Sequence, residues 1–192
     1  TFFQKCLERY DSVVFIAKSS GMSSCYDNAV IAAGNLEKVY VVDSRSISSG
    51  SSMLAIEAVR LKGSMGAAEL ADYLNAYRER IVGSFIIETL EYLHEGGRCS
   101  TLAFLGASTL QIRQSINIRE GKLVVGKKYM GTYKRALKEY IDTTLAQHEQ
   151  MDPSIVMISH AIQEEAMLNS LIDQIKSLNY FEKIIPLSVT HP

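Results

Sequence analysis

Two short apolar runs, each followed by a loop rich in serine and glycine and then by a helical segment, constrain this chain more than any other feature. The first run, 13–17, leads into the loop 18–26, and the second predicted strand, 38–42, which is apolar after Lys38, leads into the loop 43–52. A short continuous apolar run is typical of a parallel strand that is buried on both faces. Because the strand–loop–helix unit occurs twice, the sequence predicts a parallel α/β layer with both loops at one edge of the sheet. In open α/β sheets, the edge formed by the carboxyl ends of the strands is where ligands bind.

The rest of the pattern predicts a second domain of a different kind. Around the two runs, helices are predicted over 1–10, 27–36, 53–61 and 67–80. Beyond residue 80 the pattern changes to strands over 84–88, 155–159 and 184–189, a hairpin of 112–118 and 122–129 with Gly121 at its turn, and helices over 89–94, 100–110, 133–147 and 163–178. The fold class is therefore predicted as α/β: a parallel Rossmann-like N-terminal layer over 1–80, followed by a mixed-sheet α+β domain over 81–192.

Composition argues against several classes of protein. Lys and Arg number 20 against 21 Asp and Glu, whereas a general nucleic-acid binder usually carries a basic excess. No segment approaches the roughly 18 to 20 consecutive apolar residues that span a bilayer, and the first ten residues lack the apolar core of a signal peptide. The three cysteines are widely spaced, which is typical of reduced thiols in a cytoplasmic protein. Neither a metal site nor a nucleotide cofactor is predicted, because HExxH, GxGxxG and P-loop motifs are absent from the sequence.

The serine loops carry the chemistry that best indicates a binding site. Hydroxyls and backbone N–H groups ahead of a helix N-terminus suit a carboxylate or a phosphate, since they donate hydrogen bonds without a formal positive charge. The alternative is that these serines only cap the helices that follow them. Two such clusters after two parallel strands favour a binding site.

Other residues leave further functions open. Ser23 or Cys25 would be the nucleophile of a hydrolase or transferase, although Cys25 stands where the nucleophile elbow G-x-S-x-G has its second glycine. Gly96-Gly97-Arg98 places a fixed cation beside a tight turn, and it equally suits a helix C-cap with a surface arginine. His160 and His191 both follow predicted strands, where a histidine could reach a ligand.

In order along the chain, several segments resemble motifs of the DegV family of fatty-acid-binding proteins. The loop 19–26 is similar to its S-S-x-L-S-G-T-Y motif, and 42–50 is similar to its D-[ST]-x-x-x-S-x-G loop. The most specific match is 89–98, which is close to T-L-x-Y-L-x-x-G-G-R. The hairpin resembles the family's I-K-P hairpin, 128–131 resembles K-x-R-G, and Thr190-His191 resembles the start of T-H-x-G-P-G.

The resemblance implies a two-domain DegV-like fold, also called the EDD fold, with an apolar tunnel between the domains. Such bacterial proteins bind one fatty acid of the palmitate or oleate class and present it to a partner acyl kinase subunit for phospholipid synthesis. The binding protein is not itself an enzyme and uses no cofactor. The residues that would bind the ligand here are those at the matching loop positions: Ser23, Ser24, Cys25, Ser48, Ser49, Gly50, Arg98 and His191.

Three departures from the family pattern concern the head group of the ligand. Ser24 and Cys25 replace the Gly and Thr of the first loop, and a thiol is a weaker hydrogen-bond donor than a hydroxyl. Met130 replaces the arginine of K-x-R-G, so a cation is missing there. A degenerate member that no longer binds lipid is therefore an alternative. We also expect the family's opening strand to precede Thr1 and its G-P-G segment to follow Pro192, so that the chain is a member lacking both termini.

Overall fold

The structure, a computed structural model, describes residues 1–89, 93, 95–97, 112–146 and 148–189. The chain divides into two compact units. The first unit consists of Thr1–Gly83 together with Ile118–Leu123, and the second consists of Ser84–Asn117 together with Val124–Pro192. The predicted helices over 89–94 and 100–110 lie largely or wholly outside the described residues. Within the ranges that are described, every helix is too short or too polar to cross a membrane.

The first unit is built on two parallel strands, as the sequence predicts. Strand β1 is Val13–Ala17 and β2 is Val39–Asp43, and their register runs from Val13 opposite Val39 to Ala17 opposite Asp43. The helices of this unit are α1 (Phe2–Leu7), α2 (Cys25–Ala33), α3 (Ser49–Arg60) and α4 (Ala67–Tyr77), the last continued by a 3-10 turn over Arg78–Arg80. The predicted parallel layer is therefore confirmed.

Helices cover both faces of this small sheet, which explains why its strands are continuously apolar. Alternate residues of a strand point to opposite faces. On one face, Val14 and Ile16 pack against a buried cluster drawn from β2, α3 and α4. On the other face, Val13 and Phe15 pack against buried residues of α1 and α2. The members of the first cluster are Val42, Leu54, Leu70, Ala71 and Leu74, and those of the second are Phe3, Ala29 and Ala33.

Helix α3 begins at Ser49, four residues before the start predicted from the sequence at Met53. Contacts with the preceding loop fix the early start, since the Ser51 hydroxyl donates to the Ser44 hydroxyl at 3.1 Å. Gly50 is buried against the same loop, and a Cβ on this residue would overlap the Ser46 hydroxyl. The helix can therefore begin this close to the loop only because position 50 has no side chain.

The second unit contains the remaining sheets, which mix hairpin and parallel pairing. Strands β3 (Gly83–Ile87), β4 (Ile112–Arg119) and β5 (Lys122–Met130) lie in the order β3-β4-β5. Strands β6 (Val156–His160) and β7 (Ile184–Ser188) form a parallel pair. The helices are α5 (Tyr133–Thr144) and α6 (Glu165–Lys176). The core includes Ile116, Tyr129, Ala136, Leu137, Leu171 and Ile175, all buried. The predicted α/β class, with a mixed second part, is confirmed.

The β4–β5 hairpin turns at Glu120 and Gly121, as predicted. Both residues have positive φ, 50° and 74°, which is the conformation that a two-residue hairpin turn requires. The tip of the hairpin, 118–123, belongs to the first unit, although the rest of both strands lies in the second. The hairpin therefore brings a distant part of the sequence into the unit that carries the serine loops.

Candidate functional site

The two serine loops lie side by side at the carboxyl edge of the β1–β2 sheet. We call residues 18–24 the first serine loop and residues 44–48 the second serine loop. The Ser19 N–H donates to the Ser46 carbonyl at 3.0 Å, which joins the loops directly. The Ser44 N–H donates to the carbonyl of Ala17 at 3.1 Å, so the strand pairing continues into the loops. The predicted meeting of both loops at one sheet edge is confirmed.

Asp43, the last residue of β2, ties the first loop to the second. Its Oδ2 accepts the Ser20 hydroxyl at 2.6 Å, and its Oδ1 accepts the N–H groups of Ser20 at 3.1 Å and Arg45 at 3.0 Å. Burial acts to raise the pKa of Asp43, but these hydrogen bonds, led by that of the Ser20 hydroxyl, outweigh it and leave the pKa below its usual range. Asp43 is therefore an ionised anchor of the loops at neutral pH. On the other side, Arg78 Nη1 donates to the Asp43 carbonyl at 2.6 Å.

Buried serines in the second loop build the loop itself. The Ser44 hydroxyl donates to the Ser46 carbonyl at 2.9 Å and accepts the Ser46 N–H at 3.2 Å. It also accepts the Ser51 hydroxyl from the first turn of α3. Ser44 and Ser46 are 1% and 4% exposed, so these serines have a structural role and are not available to a ligand.

The exposed serines of the site stand at the N-termini of two helices. Ser24 is the N-cap of α2 and Ser48 is the N-cap of α3, and both residues are exposed. Neither hydroxyl accepts a capping hydrogen bond from its own helix, whereas Thr1 and Thr132 do so at α1 and α5. The Ser24 hydroxyl instead accepts a long hydrogen bond, 3.4 Å, from the side-chain amide of Asn28. Helix capping therefore does not account for the serines at these two positions.

The neighbours of these two serines complete the predicted set in the first unit. Ser23 accepts the Cys25 N–H on its hydroxyl at 3.2 Å, and Cys25 is the first residue of α2. Ser49 is the first residue of α3 and is half-buried, and Gly50, which follows it, is buried. The structure thus places six predicted residues at two helix N-termini that follow adjacent strands. Each N-terminus carries a partial positive charge that favours an anion.

The other predicted ligand residues, Arg98 and His191, lie outside the described residues. Met130, which stands in place of the family's arginine, is 62% exposed at the end of β5. Among the described residues, no group of three His, Cys, Asp or Glu side chains is placed to hold a metal ion. The hydrogen bond that the described residues make to the Ser23 hydroxyl comes from a backbone N–H and not from a base.

Sequence reasoning did not predict that Ser19 and Gly121 pair with each other to hold the first loop in place. The buried Ser19 hydroxyl donates to the Gly121 carbonyl at 2.6 Å, across 102 positions of sequence. The turn glycine was expected from the hairpin pattern, but its partner was not. The local sequence carries no signal that could have paired them.

Comparison with known proteins places these features in a family context. The family model of the uncharacterised DegV family proteins matches residues 1–190. A DegV domain-containing protein of Clostridium perfringens is 32% identical over 142 residues, which are 71% of this chain and 51% of that protein. The chain therefore spans about half the length of this curated relative. A protein of Thermotoga maritima named as a fatty acid-binding protein is 28% identical over 184 residues, 93% of this chain and 63% of that protein.

Solved structures share the fold. A structure described as fatty acid binding of a DegV family protein from Thermus thermophilus has a TM-score of 0.82 at 21% identity, and the match covers 98% of this chain and 68% of that one. The fatty acid kinase B3 protein of Streptococcus pneumoniae, loaded with linoleic acid, has a TM-score of 0.79 at 18% identity, covering 97% of this chain and 68% of that one. At these identities the likeness establishes the fold.

Proposed function

This chain belongs to the DegV family, and from that premise we propose that it binds a long-chain fatty acid of the palmitate or oleate class. The Thermotoga relative is named as a fatty acid-binding protein, the Thermus structure is described as fatty acid binding, and the Streptococcus structure is loaded with linoleic acid. The binding residues in the first unit would be those at the N-termini of α2 and α3. Arg98 and His191 would complete the set.

The observation that carries the proposal is the pair of exposed serines, Ser24 and Ser48, that do not cap their own helices. They follow adjacent parallel strands whose loops are joined by the hydrogen bond from Ser19 to Ser46. A carboxylate accepts several hydrogen bonds and is stabilised at a helix N-terminus by about 0.3–1 kcal/mol. Two such N-termini and their hydroxyls would offset the loss of water around the head group.

The tail of the ligand would supply most of the affinity. Each buried methylene contributes about 0.8 kcal/mol, so a long acyl chain outweighs the few hydrogen bonds to its carboxylate. The hydroxyls would instead fix which end of the ligand reaches the serine loops. The orientation of the ligand matters because the kinase reaction proposed below takes place at the carboxyl group.

We infer further that the bound acid is presented to a partner acyl kinase subunit, which phosphorylates the carboxyl group at the expense of ATP. Support comes from the likeness to the Streptococcus pneumoniae fatty acid kinase B3 protein. The chain would act as the binding subunit and the partner as the catalyst. A reaction that uses ATP and feeds phospholipid synthesis would place both proteins in the bacterial cytoplasm.

Lipid extraction from the purified chain, followed by mass spectrometry, is the first test. We expect a saturated or monounsaturated acid of palmitate or oleate length. The stripped protein should then bind added oleate more tightly than oleyl alcohol, which has the same tail without the charge. A chain that carries no acyl ligand and binds neither palmitate nor oleate would be the degenerate member, and the proposal would be wrong.

A matched pair of variants tests the head-group residues. The double substitution Ser24→Ala and Ser48→Ala should weaken oleate binding and leave oleyl alcohol binding unchanged. Ser64→Ala is the control, because it removes another exposed serine hydroxyl, which donates to the Leu61 carbonyl at 2.7 Å and lies in the segment between α3 and α4. Equal loss for both ligands would instead mean that the serines support the fold.

The kinase step is tested by mixing the loaded chain with a fatty acid kinase catalytic subunit and ATP. Acyl phosphate formed from the bound acid would support presentation, and its absence with a kinase that is active on another binding subunit would contradict it. The hydrolase or transferase alternative gains no support from the described residues, since a nucleophile needs a base within hydrogen-bond reach.

A further inference from the structure

Ser19 uses every polar group it has, although it was not among the residues predicted to contact a ligand. Its N–H donates to Ser46, and its carbonyl accepts the N–H groups of Met22 and Ser23, both at 3.1 Å. Its hydroxyl accepts the Gly21 N–H at 3.2 Å and donates to the Gly121 carbonyl at 2.6 Å. The residue is completely buried. The turn that leads into α2 is therefore built around Ser19.

The hairpin turn touches this loop at two glycines that leave no room for side chains. A Cβ on Gly121 would lie 2.6 Å from the Ser19 hydroxyl, and a Cβ on Gly21 would lie 2.6 Å from the Gly121 carbonyl oxygen. A Cβ atom does not lie this close to another heavy atom, so either substitution would push the loop and the turn apart. The same added Cβ on Gly121 would lie 3.4 Å from Cγ of Arg45 in the second loop.

We propose that the β4–β5 turn is the element that positions the first serine loop for ligand binding, with Ser19 and Gly121 as its positioning residues. Neither residue would touch the fatty acid. The inference rests on the proposed function, because it concerns the same head-group site. In this proposal, the orientation of the Ser23 and Ser24 donors depends on the β4–β5 turn, which lies about 100 residues further along the sequence.

A series of hydrogen bonds leads from the β4–β5 turn to the start of α2. The Gly121 carbonyl holds the Ser19 hydroxyl, and the Ser19 carbonyl holds the N–H of Ser23. Ser23 in turn accepts the N–H of Cys25, the first residue of α2. Displacing the turn would release the Ser19 hydroxyl, and the donors at the start of α2 would lose their fixed direction. Binding energy that depends on aligned donors is lost when they become mobile.

Gly121→Ala and Gly63→Ala form a matched pair of variants for the test. Both glycines have positive φ, 74° and 84°, so both substitutions introduce the same kind of backbone strain. An added Cβ at position 63 meets nothing within 4 Å, whereas at position 121 it meets Ser19. Any difference between the variants therefore reports the contact with the loop. Ser19→Ala, which removes the hydroxyl without adding bulk, is the third variant.

The binding arm compares oleate with oleyl alcohol. Gly121→Ala and Ser19→Ala should weaken oleate binding about tenfold, the effect of losing one well-aligned hydrogen bond to a charged group, while oleyl alcohol binding stays within about twofold. Gly63→Ala should leave both affinities unchanged. Equal weakening of both ligands by Gly121→Ala, or no weakening at all, would overturn the proposal.

A second arm needs no ligand, which separates this inference from the proposed function. Backbone amide exchange at Met22 and Ser23 should be about tenfold faster in Gly121→Ala and Ser19→Ala than in the unmodified chain, and unchanged in Gly63→Ala. If the unmodified chain bound no acyl ligand, the proposed function would fail while this arm still reported whether the turn holds the loop. Unchanged exchange in all three variants would overturn the positioning role.

Discussion

Ser20 gives both its backbone N–H and its side-chain hydroxyl to the carboxylate of Asp43, at 3.1 Å and 2.6 Å. Asp43 is the last residue of β2 and Ser20 lies in the loop after β1, so this pair of hydrogen bonds ties the first serine loop to the end of the neighbouring parallel strand. A carboxylate held by N–H and hydroxyl donors is stabilised in its ionised form. The geometry of the candidate site is therefore tied to the charge of one residue.

Stability should depend on the ionisation of Asp43. Its pKa is lower in the folded chain than in the unfolded chain, so its contribution is present above the ordinary Asp value of about 4 and is lost as the pH falls through the folded pKa. We expect Asp43→Asn to lower the free energy of unfolding at neutral pH. The difference from the unmodified chain should shrink below a pH of about 4. Urea unfolding followed by circular dichroism at several pH values measures it.

Asp11→Asn is the control for that experiment, because Asp11 is exposed and lies before β1. It should change the unfolding free energy little at any pH. A difference for Asp43→Asn that stays constant from neutral to acid pH would show that the charge of Asp43 is not the stabilising feature.

Ser48 should show a conflict between stability and binding. Its φ is 49° and its ψ is −122°, a conformation that costs a serine free energy but that glycine adopts readily. Ser48→Gly should therefore raise the free energy of unfolding by about 1 kcal/mol and also weaken oleate binding. Ser48→Ala keeps the strain and removes the hydroxyl, so it should weaken binding without the gain in stability. Tighter oleate binding by Ser48→Gly would contradict a head-group role for this serine.

The hydrogen bond from Tyr73 to the buried Glu57 should contribute to the stability of the folded chain. Its Oε1 accepts the Tyr73 hydroxyl at 2.7 Å, and Arg60 donates to both carboxylate oxygens at 2.7 and 2.8 Å. These partners, Arg60 foremost, hold the pKa of Glu57 below its usual range. Tyr73→Phe should lower the free energy of unfolding by about 1.5–3 kcal/mol, since it removes one hydrogen bond to a charged group. Tyr10→Phe, at a residue 65% exposed, should have almost no effect in the same urea titration.

Leu54 should be the most sensitive position of α3. Its side chain is completely buried between α3, α4 and the sheet. Leu54→Ala should lower the free energy of unfolding by about 2–5 kcal/mol because it leaves a cavity. Val59→Ala lies in the same helix at a residue 72% exposed, so its cost should be below about 0.5 kcal/mol. Similar costs for the two variants would mean that the apolar face of α3 is wrongly assigned.

The described strands were predicted to within about a residue, whereas the ends of several helices lie two or three residues from their predicted positions. Strand β1 occupies 13–17 as expected, because five apolar residues in a row suit only a strand covered on both faces. The start of α3 was placed four residues late. Serine and glycine have low helix propensity, and only the contacts of Ser51 and Gly50 with the preceding loop make this turn helical.

In the candidate site, too, some features could be predicted from the sequence and others depend on contacts in the folded chain. Ser24 and Ser48 could be found from the sequence because they follow strands, and position after a parallel strand is a topological property. The sequence did not reveal which serines are buried in the loops and which are exposed. Nor could it pair Ser19 with Gly121, because a contact across 102 positions depends on the completed fold.

The hairpin tip that completes the first unit has a consequence for synthesis on the ribosome. A nascent chain is made from its N-terminus onward, at about 5–20 residues per second. Both strands and all four helices of the first unit are therefore made before the segment 118–123 that belongs with them. Until that segment emerges, the hydroxyl of Ser19 has no Gly121 carbonyl to bind. The first serine loop can therefore make its contact with Gly121 only after translation has passed well into the second unit. The proposed ligand binding would wait until the hairpin has been made.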